Sequence, residues 1–221
     1  MTPDLSRRQL LRAIALGVAA PLLEAAAAAQ PRPASSAAPD PAVDRATMEA
    51  WSDTIVPGER RSPEDRVVAG AAEGPGAVQA GAWRLLNDPD LGLGPAVPAL
   101  SAALNAEAVS EAGRAGLVLD PTVPPLVALP FRHRTALAVR LLNRSHPDQV
   151  VWYALAAVAM LAFHTAAHLD TADAVRRGHP GLAWLRFPAP DADGLWRYEH
   201  FSYRQALARR HPRTTRTGHP A

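Results

Sequence analysis

Val150-Val-Trp-Tyr-Ala-Leu-Ala-Ala-Val-Ala-Met-Leu-Ala-Phe163 decides the fold class. The run opens after His146-Pro147-Asp148 and carries no charge. As a helix its fourteen residues span roughly 21 Å, short of the ~30 Å hydrocarbon core of a bilayer. The expectation is therefore a helix inside a bundle, apolar on every side and buried all round, extending over about 148–170. Its many alanines let neighbouring helices approach closely. The fold expected from it is all-α: a compact helical bundle around this central helix, with an irregular, aromatic-rich C-terminal tail over about 181–221.

Working outward, the same periodicity appears in weaker form. Met48, Trp51 and Ile55 share one face of a helix expected to start with Thr47 as cap and to stop at Val56-Pro57-Gly58. A second helix is expected through Val78, Ala82, Leu85 and Leu86 to Asn87, a third over about 99–113, and a fourth over about 132–142. Pro121, Pro124, Pro125 and Pro130 forbid a long helix between the last two. Residues 43–221 read as a single domain, preceded by a Pro/Ala/Ser-rich linker at 31–42.

Residues 1–30 read as an address. Ser6-Arg7-Arg8-Gln9-Leu10-Leu11 leads into a weakly apolar stretch and an alanine run. A basic start, a modest apolar middle and small residues beyond it predict an export signal, and the paired Arg7 and Arg8 predict the twin-arginine type. Pro21 and Glu24 interrupt the stretch, so only transient membrane contact is expected. The location expected is the exterior or the cell envelope.

Composition narrows the chemistry. The 221 residues contain no cysteine, and all 23 basic residues are arginine, against 21 acidic ones. Thiol nucleophiles, Cys-type zinc sites, Schiff-base lysines and a Walker-type lysine are excluded. The formal charge of +2 is spread among mixed signs, with no basic block interleaved with aromatics, so nucleic acid is not an expected partner.

Three local patterns could carry chemistry. His164 and His168, at i and i+4, would share a helix face and could begin a metal site, or serve as polar residues at a helix end. Gly74-Pro75-Gly76 could cradle phosphate but lacks a preceding strand and reads better as a turn before a helix. Asp191-Ala192-Asp193-Gly194 opens like a calcium loop, but Ser202 stands where an acidic residue is needed, leaving an Asp-Gly turn.

The leader, together with Met48-Glu49-Ala50-Trp51-Ser52-Asp53-Thr54-Ile55-Val56-Pro57-Gly58 and Gly76-Ala77-Val78-Gln79-Ala80-Gly81, resembles the subunit 3 family of gluconate 2-dehydrogenase. Over nearly its whole length the chain resembles more closely an actinobacterial family of unknown function. That likeness takes in Gly74–Ala77, Pro124-Pro125, His133–Leu137, Ala166–Leu169, Gly178–Gly181 and Asp191–Trp196. The resemblance implies a non-catalytic helical subunit that binds no cofactor itself. Its partner would be a large FAD-dependent oxidoreductase of the glucose-methanol-choline type, matured with it and co-exported through the twin-arginine machinery. The chain departs from some relatives in lacking cysteines and any haem-binding Cys-x-x-Cys-His, so no electron transfer through it is implied. On that reading Trp51, Trp184, Trp196, Tyr198 and Tyr203 are the expected interface anchors, with Arg197 and Arg204 as carboxylate partners. Two alternatives stand beside it: an autonomous exported enzyme, metal-assisted through His164 and His168, and a solitary extracellular binding or structural protein.

Overall fold

A helix can start only where its first free N–H groups find partners, and Asp40 supplies one: its carboxylate accepts from the Ala42 N–H at 2.8 Å. With Pro41 at the first position, helix α1 runs Pro41–Ile55. It therefore starts well before Thr47, and the expected linker ends inside it. The computed structural model describes residues 40–189. The remaining elements are α2 (Ala82–Leu86), a 3-10 turn (Gly94–Ala96), α3 (Val97–Ala115), α4 (Pro125–Ala128), α5 (Phe131–Leu141), α6 (Gln149–Thr165), α7 (Thr171–Arg176) and α8 (Pro180–Trp184). The protein is an all-α compact bundle, as expected. Among the described residues no helix is long and apolar enough to cross a membrane.

Helix α1 packs against α2, α3, α4, α5 and α6. From Thr47 to Thr54 every residue is buried, polar ones included. The polar side chains survive this because they bond locally. Thr47 and Ser52 donate to the carbonyls four residues back, Val43 and Met48, at 2.8 Å, and Thr54 does the same to Ala50 at 2.7 Å. Thr47 also accepts from Asn105 of α3 at 3.0 Å, so it is an internal bridge and not a cap. The apolar side of the core comprises Met48, Trp51, Leu85, Leu104, Leu137 and Leu141, all essentially inaccessible.

The 150–163 run forms helix α6, which packs on α1, α2 and α8, whereas the central place expected of it is taken by α1, which touches more of the other helices. The Trp152 ring of α6 lies 6.2 Å from that of Trp51, tilted by 53°. Two further details differ. Helix α6 is not buried all round, because Val150, Tyr153 and Met160 are exposed. It also does not continue to 170: Ala166 adopts a left-handed conformation at φ 48° and closes the helix at Thr165. The expected helix through 78–87 is likewise cut short. Gly81, at φ +88°, turns the chain just before α2. The described residues up to Phe187 belong to one compact unit.

Candidate functional site

Residues 56–77 close a loop on itself. The Ala77 N–H donates to the Val56 carbonyl at 3.0 Å and the Glu59 N–H to Gly74 at 2.7 Å. Gly58 and Gly76 meet backbone to backbone at this base. A methyl group on Gly76 would stand 2.6 Å from both the Gly58 nitrogen and the Val56 oxygen, so no side chain fits. Gln79 stitches the base further, accepting from the Gly76 N–H at 3.0 Å and donating to the Glu59 carbonyl at 2.7 Å. The Gly76 and Ala77 N–H groups are thereby committed. Gly74-Pro75-Gly76 leads into a turn over 77–81, and its Gly76 N–H is already taken by Gln79.

Buried charges hold the loop to the bundle. Asp53, at the end of α1, accepts from the Gly58 N–H at 3.3 Å and the Ala69 N–H at 2.8 Å. Burial pushes its pKa up, only partly offset by those two N–H groups and the nearby Arg134 charge. Arg134 of α5 is itself 4% exposed. Its guanidinium donates to four backbone carbonyls: Leu129 and Val67 at 2.8 Å, Val127 at 2.6 Å and Arg66 at 3.3 Å. One side chain thus ties the loop to α4 and to the α4–α5 corner. Burial works against the charge of Arg134, and Asp53 and Asp65 work in its favour.

Outside this pair, Arg61 bridges Asp65 at 2.6 Å and Glu49 of α1 at 2.8 Å. Asp65 also accepts from the N–H groups of Val67 and Val68 at 3.0 and 3.1 Å. Burial opposes ionisation of Asp65, but Arg61 and these N–H groups outweigh it and hold the pKa at about 2. Because this folded-state value lies below the ordinary 3.8, the stabilisation is complete above pH 3.8 and lost as pH falls toward 2. Thermal midpoints recorded from pH 5 to pH 2 are expected to fall less steeply in Asp65→Asn than in the parent. Equal slopes would show that Asp65 is not linked to folding. An open hollow of about 600 Å³ lies between this loop and the α4–α5 corner, lined by Arg60, Glu64, Arg66, Phe131 and Arg134. Four of the five Arg134 N–H donors are already spent on carbonyls.

The paired histidines do not form a pair. Ala166 breaks the helix between them, so the i, i+4 geometry never arises. His164 is exposed and its Nδ1 donates to the Met160 carbonyl at 2.9 Å. His168 lies beyond the break, against Gly81 and 5.9 Å from the ring of His179. Among the described residues no group of three or more His, Cys, Asp or Glu could hold a metal ion.

Of the expected interface anchors, Trp51 is a correction. It is 1% exposed, because α1 is enclosed by its neighbours, and it cannot meet a partner from the core. Trp184, at 56% exposure, is available; one part of its ring covers Gly74. Trp196, Arg197, Tyr198, Tyr203 and Arg204 lie outside the described residues, as do Arg7, Arg8 and Asp191–Gly194.

Sequence reasoning missed the exposed row on α6. Val150, Tyr153 and Met160, with half-buried Ala157 between them, recur at the three/four spacing of one helix face. His164 continues the row, and its polarity, with that of Gln149 four residues before Tyr153, was the clue to which face meets water. Leu185 is exposed beside Trp184. Arg134 and Asp53 were missed as anchors because nothing distinguishes them from the other arginines and carboxylates of the chain.

The geometry defines a small helical protein with a charge-tied loop and an apolar row on an uncharged helix. Residues 42–221 match a family of unknown function (DUF5987), and the chain belongs to that family. No curated protein and no solved structure matches it.

Proposed function

We propose that this chain is the non-catalytic accessory subunit of an exported FAD-dependent oxidoreductase of the glucose-methanol-choline type. On this reading Arg7 and Arg8 direct the pair to the twin-arginine machinery, FAD resides in the large subunit, and the working part of the small one is contact surface. The observation that carries the reading is the row Val150, Tyr153 and Met160, each half or more exposed on a helix without a formal charge. Large apolar side chains aligned on one face are costly to leave in water and are characteristic of surfaces that meet another protein. Trp184 and Leu185 add exposed apolar surface on and just after α8. The resemblance of residues 45–90 to the dehydrogenase small subunit supplies the kind of partner. The alternative of a metal-assisted enzyme has lost its geometric basis with the separation of His164 from His168.

Co-expression with the flavoenzyme of a neighbouring gene tests the proposal. The two are expected to purify as a complex and to appear outside the cell together, and replacing Arg7 and Arg8 by lysine is expected to strand both inside. Tyr153→Arg with Met160→Glu is expected to weaken the complex about 100-fold, in the range of an interface hot spot, while leaving the thermal midpoint nearly unchanged. Export of the flavoenzyme in a strain lacking this gene would overturn the assignment.

A further inference from the structure

The corner beyond α6 rests on two histidines that the proposed function leaves unused. His179 is 7% exposed and precedes α8. Its Nε2 donates to the Ala80 carbonyl at 3.0 Å, and its Nδ1 accepts from the Leu182 N–H at 3.4 Å, forming the cap of α8. One ring nitrogen as donor and the other as acceptor is the pattern of a neutral imidazole.

His168 meets this ring nearly edge-on, at 5.9 Å and 61°. Its Nδ1 is buried and has no hydrogen-bond partner among the described residues. Its Nε2 lies so close to Gly81 that a methyl group there would approach it to 2.8 Å. Both rings thus press the turn over 77–81 from one side, His179 on the Ala80 carbonyl and His168 on Gly81.

We infer that His168, seated against His179, forms a pH-sensitive latch, which holds the Ala166–Trp184 arm on the Ala80-Gly81 turn while the His168 ring is neutral and loosens it when that ring takes up a proton. The groups acting on His168 from the packed elements are His179 ahead of α8, Arg84 of α2 and Asp88 beyond it. Burial, then His179, then Arg84 disfavour the proton, and only Asp88 favours it, so the pKa lies below the ordinary 6.5. The sign follows. A released His168 binds protons more readily than a seated one, so the latch is fully closed above pH 6.5 and weakens as pH falls through the lower folded-state value. Trp184 ends the arm and covers Gly74, so release uncovers the turn at the base of the 56–77 loop.

Hydrogen exchange on the whole chain at pH 7.5 and pH 5.0, corrected for the intrinsic pH dependence of exchange, tests the latch. The amides of Leu182 and Ala183 in α8 and of Leu185 just after it are expected to lose protection several-fold at the lower pH. Amides of Leu104 and Ala108 in α3 are expected to keep theirs. In His168→Gln the loss is expected to shrink by at least half. Equal protection at both pH values, or an undiminished loss in His168→Gln, would overturn the inference. Should that variant fail to fold, side-chain NMR titration of the parent decides: an apparent His168 pKa below 6.5 supports the latch, and one at or above 6.5 sinks it.

Discussion

Arg134→Leu is expected to lower the free energy of unfolding by about 3–5 kcal/mol, the cost of breaking a buried charged network from one side. The leucine fills part of the space but strips the guanidinium donors from four carbonyls, those of Val127 and Leu129 in buried bonds and those of Arg66 and Val67 in part-buried ones. It also removes the cation that offsets the burial of Asp53. Arg134→Lys is expected to recover little, since an ammonium on a single stem cannot reach carbonyls from the loop and from α4 together, as the planar guanidinium does. Denaturant titration measures the loss, and limited proteolysis locates it. Cleavage is expected to begin at Arg60, Arg61 or Arg66, in the segment that Arg134 no longer ties to α4. A loss under 1 kcal/mol, or an unchanged first cleavage site, would show that the loop is held by its Gly58–Gly76 base alone.

The parts of this fold that could be read in advance are those written as apolar periodicity. The runs of α1, α3, α5 and α6 announce themselves because large apolar residues recur at helical spacing, and no competing strand pattern exists. Their ends are less legible. Asp40 and Pro41 define the start of α1 as clearly as any cap, but the preceding Pro/Ala/Ser stretch masks them. The end of α6 carries no glycine or proline: alanine, a strong helix former, takes the left-handed position at 166 because the chain must turn there to seat His168 and α8. That single tertiary override undoes the His164/His168 pairing. A helix with a wholly apolar middle likewise hides which of its faces is wet, since burial is inferred from polar residues on the opposite side and α6 offers only Gln149, His164 and Thr165, all at its ends. The charged anchors are illegible for another reason. Asp53 and Arg134 act mainly through backbone groups brought from far along the chain, Ala69 and Val67 among them, and no local spacing encodes such partners.

Trp51→Ala is expected to cost about 3–5 kcal/mol of stability, the range for emptying a buried aromatic site. The side chain is 1% exposed, sits on the helix around which the bundle is arranged, and faces Trp152 at 6.2 Å. Trp152 of α6 lines one side of the vacated space, and α1 is held in place by its contacts with five other helices, so collapse into it is limited. Trp51→Phe is expected to cost under about 1.5 kcal/mol, because most of the volume is kept and the lost indole Nε1 makes no hydrogen bond among the described residues. Trp184→Ala gives the opposite signature. More than half exposed, with part of its ring on Gly74, it is expected to change stability by less than about 1 kcal/mol. If it is part of the contact surface, its loss appears in binding instead. Measured side by side, the two tryptophans separate core from surface: a partner-binding defect in Trp51→Ala with an unchanged unfolding curve would place Trp51 at an interface and contradict the enclosure of α1.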